Sequence, residues 1–147
     1  MIETIELPEL VIIGLMVEAR WQALSTDVPA AWRALFASET GATAFLEASL
    51  SVEDGIYREI VGYLAARKSE VPDGMSKVII PAQRYLRLNY DGPLQGIGQA
   101  FGEVLAYAKA SRLKTTDMKL DFGYLPGLPD GRHELHVALA PAPLRLV

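Results

Sequence analysis

MSKVIIPAQRYLRLNY, residues Met75–Tyr90, followed by Asp91-Gly92-Pro93, decides how the chain reads. Lys77–Ile80 is a β-prone run that halts at Pro81, because proline has no backbone N–H to give a ladder. Gln83–Tyr90 alternates, with Leu86 and Leu88 on one side and Tyr85 and Arg87 on the other. Asp-Gly-Pro then opens a predicted helix, which lines up Leu94, Ile97, Phe101, Val104, Leu105 and Ala108. Gly96, Gly98 and Gly102 each cost such a helix roughly 1 kcal/mol relative to alanine. The expectation is close packing onto a sheet, with a helix contact in a dimer as the alternative.

An earlier stretch, Ile5–Val17 (IELPELVIIGLMV), has the same layout. Ile2–Leu7 alternates as a strand, Pro8 interrupts it, and Val11–Val17 resumes it. Gly14 inside that run marks a place where something approaches the backbone closely. Ser25–Asp27 offers capping side chains and Pro29 suits a first turn. The helix they predict carries Val28, Trp32, Leu35 and Phe36 on one face and ends near Ser38. Glu39–Asp54 is ambiguous, with a short helix over Ala42–Leu50 as one reading.

The remaining elements follow in order. Ile56–Leu64 is a predicted strand with Tyr57, Glu59, Val61 and Tyr63 on one face. Val71-Pro72-Asp73-Gly74 is a turn by its chemistry. Thr116–Tyr124 and His133–Ala140 complete the strands, and the tail Ala140–Val147 is expected to be loosely ordered.

The two proline breaks, Pro8 and Pro81, lie 73 positions apart. That offset also pairs Ile13 with Leu86, Leu15 with Leu88 and Trp32 with Leu105. The chain therefore reads as one α+β domain over 1–147, built from two β-α-β-β halves at about 1–72 and 73–147. An antiparallel sheet with helices on one face and a central cleft is expected. On this reading the face without helices, carrying Tyr85, Arg87, Ile12, Gly14 and Met16, forms a concave and largely apolar wall for a small molecule.

Composition narrows the function. Of 147 residues, 50% are apolar and 22% charged, which is a globular balance. No run reaches the roughly 20 apolar residues of a membrane helix. The acidic N-terminus does not look like a secretory signal, so a cytoplasmic location is expected. There are no cysteines, and hence no disulfides, thiolate nucleophiles or cysteine metal sites. A net charge of −4 with no basic stripe argues against direct contact with nucleic acid.

The order VIIGLMV, VPAAWRALF, IYREIVGYL and PDGMSKVIIPAQRYLRLNYDGP resembles the GyrI-like small-molecule-binding domain, also found in some AraC-type and MerR-type regulators. The resemblance implies a duplicated fold with pseudo-two-fold symmetry and a central ligand cleft for bulky, often cationic or aromatic compounds. It implies no cofactor. Several members carry a buried glutamate in a Phe-Glu-x-Tyr-like segment; here Leu120–Tyr124 matches, and Gly123 stands where the glutamate is expected. Asp121 or Glu59 is the available substitute. Other members resemble hydrolases of cyclopropane-type electrophiles, or antagonists of DNA gyrase toxins. A homodimer and a separate regulator are further partners this likeness allows.

The candidate site combines these readings. Glu59 among Tyr57 and Tyr63 is the best carboxylate for acid–base work, since desolvation raises its proton affinity. Tyr85, Phe122 and Tyr124 offer stacking surfaces, Arg87 can stack or bind an anion, and Trp21 can close over a cleft. Trp32 is read as core. His133 and His136, three apart on a strand, fall on opposite faces, so no metal site is expected. The expected ligand is a small hydrophobic or aromatic molecule.

Overall fold

The computed structural model describes residues 1–141. The expectation for the tail from 142 onward lies outside the described residues. Eight strands and two helices follow one another as β1 (Ile2–Leu7), β2 (Leu10–Arg20), α1 (Trp21–Ala37), β3 (Phe45–Glu53), β4 (Ile56–Ala65), β5 (Ser76–Ile80), β6 (Gln83–Gly92), α2 (Ile97–Ala110), β7 (Thr115–Tyr124) and β8 (Gly131–Leu139). All strands join one antiparallel sheet in the order β1-β6-β8-β7-β3-β4-β2-β5. The order is palindromic about the β7–β3 pair. Each half lends its first strand to the other: β1 pairs with β6, and β5 with β2. The α+β fold with duplicated β-α-β-β halves is thus observed.

Three local expectations are corrected. The ambiguous stretch is a strand, β3, because Asp54 and Gly55 both take positive φ (52° and 77°) and close a tight hairpin into β4. Asp-Gly is the residue pair such a turn favours. Helix α1 begins at Trp21, directly after β2, so Ser25–Asp27 and Pro29 lie inside it. The apolar face of Val28, Trp32, Leu35 and Phe36 outweighs the backbone bond that Pro29 forfeits. Strand β6 continues through Asp91 and Gly92. The helical stretch opens with a 3₁₀ turn over Leu94–Gly96, whose first N–H is taken by Asp130 Oδ1 at 2.9 Å.

Helix α1 packs on β2 and β4, and α2 on β6 and β8. Their cores are Trp32, Leu35 and Val61 under α1, and Leu86, Val104, Leu135 and Val137 under α2. The three glycines read into this helix differ from expectation: a Cβ at Gly96, in the 3₁₀ turn, would strike the Tyr90 hydroxyl, but Gly98 and Gly102 of α2 face open space. Close packing accounts for Gly96 alone.

The face without helices is also a core. Ile12, Leu46, Ala48, Ile60, Ile80, Tyr85, Leu120 and Ala138 on it are all at most 1% exposed. Ile5 and Leu7 of edge strand β1 share this cluster with Val78 and Ile80 of β5 at the other edge. With no helix over that face among the described residues, the sheet itself must curl to cover these side chains. Two facing glycines, Gly14 and Gly62, sit in the curve; a Cβ on either would strike the other strand's backbone. The close approach read from Gly14 is that of β4, not of a ligand. Along its centre, the hollow expected on this face is filled by the protein's own side chains, which leaves the helix side as the candidate.

Candidate functional site

With α1 over β2 and β4 and α2 over β6 and β8, the helix-side surface of β3 and β7 runs between the helices. One row of directly paired residues crosses it: Leu15, Val61, Glu47, Asp121, Leu135 and Leu88, on β2, β4, β3, β7, β8 and β6. The row is itself palindromic, with leucine–valine on one flank, two leucines on the other, and two acids at the centre. Leu15 and Leu88 obey the 73-residue repeat. Glu47 and Asp121 obey it with one residue added. The duplication thus brings one acid from each half to the join between halves.

The next helix-side rows supply the neighbours of these acids. On one side lies Glu59, which accepts a hydrogen bond from the Ser49 hydroxyl at 2.6 Å, with Lys119 paired to Ser49 on the other flank. On the other side lies His133, whose Nδ1 is 2.6 Å from Asp121 Oδ1. Glu59 and His133 occupy equivalent places in the two halves. Asp121 therefore has a histidine beside it, and Glu47 has a glutamate.

Glu47 accepts a 3.1 Å bond from the Trp32 indole N–H. Among the described residues no lysine, arginine or histidine forms an ion pair with it. Burial, then the charge of Glu59, push its carboxyl up to about 8, against which the Trp32 bond acts. Burial raises Glu59 too, opposed by Ser49 and Lys119. Asp121 is raised by burial and pulled back by His133. The Tyr124 hydroxyl lies by both acids and is driven up by burial and by their charges. Such a cluster holds its negative charge reluctantly, because few counter-charges stand by it.

Aromatic rings border these acids. Trp32 stacks on Tyr124 with centroids 4.4 Å apart, and Tyr124 meets the His133 ring edge-on at 4.9 Å. Trp21, 68% exposed at the start of α1, leans on Tyr57 at 5.6 Å, on the helix side beyond Glu59. A hollow of about 490 Å³ opens behind His133, bordered mainly by Asn89, Asp91, Phe122, Arg132 and Glu134, whose positions alternate to the face away from the helices.

Of the residues named from sequence, Trp21, Tyr57, Glu59 and Tyr124 share the helix side. Tyr85, Arg87 and Phe122 do not. Tyr85 is fully buried in the opposite core, its hydroxyl without a partner among the described residues and driven up to about 12 by burial. It cannot orient anything for Glu59. Arg87 is tied to Glu3 at 2.9 Å and Glu134 at 3.6 Å. Phe122 packs against the His136 ring on the far face, since strand alternation sets it opposite Tyr124 once Gly123 bulges. Gly123 takes φ 120° with its Cα hydrogen toward the Arg132 carbonyl, so a side chain has no room there. Two other acids, Glu47 and Asp121, stand close by on the helix side. Glu47 escaped sequence reading because β3 was not recognised as a strand. The signal that could have found it is the repeat offset, allowed one inserted residue.

The protein-family model for Cass2, the integron-associated effector binding protein, matches residues 3–137. The chain belongs to this family. Within it, the resemblance to GyrI-like effector-binding domains holds. No curated protein matches. Among solved structures, the Vibrio cholerae integron cassette protein VCH_CASS2 superposes with TM-score 0.74 at 12% identity, covering 95% of each chain. SAV2435 bound to tetraphenylphosphonium gives 0.74 at 11% identity, covering 95% of this chain and 94% of that one. EcmrR in its complex with DNA gives 0.65 at 13%, covering 97% of this chain and 58% of that one. At such identities these likenesses establish the fold. Among the described residues no helix is long and apolar enough to cross a membrane.

Proposed function

We propose that the chain binds bulky aromatic organic cations between its two helices, with Glu47 taking the positive charge and Trp32, Tyr124, Tyr57 and Trp21 presenting ring surface. The observation that carries this reading is that, among the described residues, Glu47 has no cationic partner. A half-buried carboxylate without a cation is unfavourable, and a ligand that supplies one recovers the cost. Stacked rings beside it favour a cation whose charge is spread over aromatic groups, through ring quadrupoles as well as area. The family's effector-binding role and the tetraphenylphosphonium held by SAV2435 support the same class.

The direct test compares tetraphenylphosphonium with tetraphenylborate, which has nearly the same shape and the opposite charge. At a hundred times its Kd, a ligand selective for the native state stabilises by about 2.7 kcal/mol. The phosphonium is expected to raise the melting temperature and the borate to leave it unchanged. Equal responses, or none to either, defeat the reading.

A catalytic reading rests on the part-buried Glu59–Ser49 contact, a carboxyl and a hydroxyl 2.6 Å apart on the same side as the acids. Turnover of a cyclopropane electrophile that is lost in Glu59→Gln would support it. Saturable binding without product supports the first reading.

A further inference from the structure

The cleft gathers its ionisable groups from four strands, and their balance says what must happen when a cation enters. β3 brings Glu47 and β4 brings Glu59, with Tyr57 beyond it. β7 brings Lys119, Asp121 and Tyr124, and β8 brings His133. The faces that α1 and α2 turn to the sheet are apolar: Val28, Ala31, Trp32, Leu35 and Phe36 from one, Ile97, Ala100, Phe101, Val104 and Ala108 from the other. Among the described residues, three carboxyls thus share one lysine and one histidine. Glu47 and Asp121 stand directly opposite in register, and Glu59 lies one row away. Like charges this close, partly out of water, do not all ionise together.

We propose that the cleft takes up its organic cation in exchange for a proton, released to water from the Glu47–Asp121–Glu59 carboxyl set. This rests on the cation-binding reading above. The balance is simple: one carboxylic acid of the empty cleft loses its proton, and the positive charge of the ligand takes its place. No bond other than O–H breaks. The raised affinity of Glu47 for its proton, caused by burial and by Glu59, acts in the same direction. Because the proton belongs to the set, Glu59 governs how tightly it is held: removing its charge leaves Glu47 freer to ionise. Occupancy then depends on pH as steeply as on ligand concentration.

Calorimetry of tetraphenylphosphonium binding in buffers of different ionisation enthalpy reads the exchange directly. Close to one proton should leave per ligand near neutral pH. Affinity should tighten about tenfold per pH unit between pH 6 and 8, as one-proton linkage requires, and level off above. Glu59→Gln should bind still, releasing a smaller fraction of a proton with a flatter profile. Glu47→Gln should lose both the pH dependence and most of the affinity. Binding with buffer-independent heat and a flat pH profile overturns the exchange and leaves the cation reading standing. No binding at any pH up to 9 overturns both.

Discussion

Glu47 and Asp121 face each other across the join between the two halves, each at the same place in its own repeat. Their surroundings break the symmetry. Asp121 has His133 at 2.6 Å, while the equivalent neighbour of Glu47 is Glu59. The duplication thus built a symmetric pair of acids, and one histidine-for-glutamate difference leaves Glu47 beside a carboxyl where Asp121 has an imidazole.

Replacing Glu47 by glutamine keeps the shape and removes the charge. Tetraphenylphosphonium affinity is expected to fall at least tenfold, about 1.4 kcal/mol or more. The empty variant should also melt about 5 °C higher than the parent at pH 8, since an unfavourable charge is gone. Calorimetric titration and thermal melts check both; a variant that melts lower and binds equally would remove Glu47 from its role.

Stability should vary with pH in two limbs. Glu47 ionises near 4.5 when unfolded and about 8 when folded, so its contribution is full below pH 4.5 and is lost as pH rises to 8. His136, behind the sheet, is held down to about 4 by burial, opposed by its backbone bond to Glu134. Its contribution is present above 6.5 and is lost as pH falls to 4. Melts of the empty protein should therefore peak in mildly acidic buffer. Glu47→Gln should flatten the alkaline limb and leave the acid one.

Installing the family's glutamate at Gly123 should unfold the site rather than restore it. The backbone there has φ 120°, and any Cβ collides with the Arg132 carbonyl on β8. Gly123→Glu is expected to cost about 3 kcal/mol or more. A chemical-denaturation midpoint equal to that of the parent would contradict this placement.

Gly14→Ala probes the curl. Its Cβ would enter the Val61 carbonyl and the Cα of Gly62, both backbone, so no side-chain rotation relieves it. A loss of about 2–4 kcal/mol is expected by denaturant titration. Ala at Gly98, which faces open space, should instead be neutral or stabilising by up to about 1 kcal/mol.

Strands β1, β2, β4, β5 and β6 were legible because their alternation and proline breaks are local signals. The repeat was legible because Pro8 and Pro81 punctuate both halves alike. β3 was not, since its mixed Ser, Ala and Glu residues carry weak preference and its identity depends on pairing with β4 and β7. The helix start at Trp21 was not legible because no capping side chain announces it. Tyr85 and Arg87 were assigned to the right face of their strand, but whether that face is open depends on how the whole sheet bends.

By itself, the order of residues determined the α+β class, the two-fold internal likeness and the grouping of Tyr57, Glu59 and Val61 on one side of β4. Tertiary structure decided which side of the sheet stays open and which acids meet. Alternation along a strand is a property of consecutive residues, fixed by the geometry of one chain segment. The meeting of Glu47 with Asp121, and the sealing of the opposite face, depend on sheet curvature and on register between strands far apart in sequence, which no local pattern encodes.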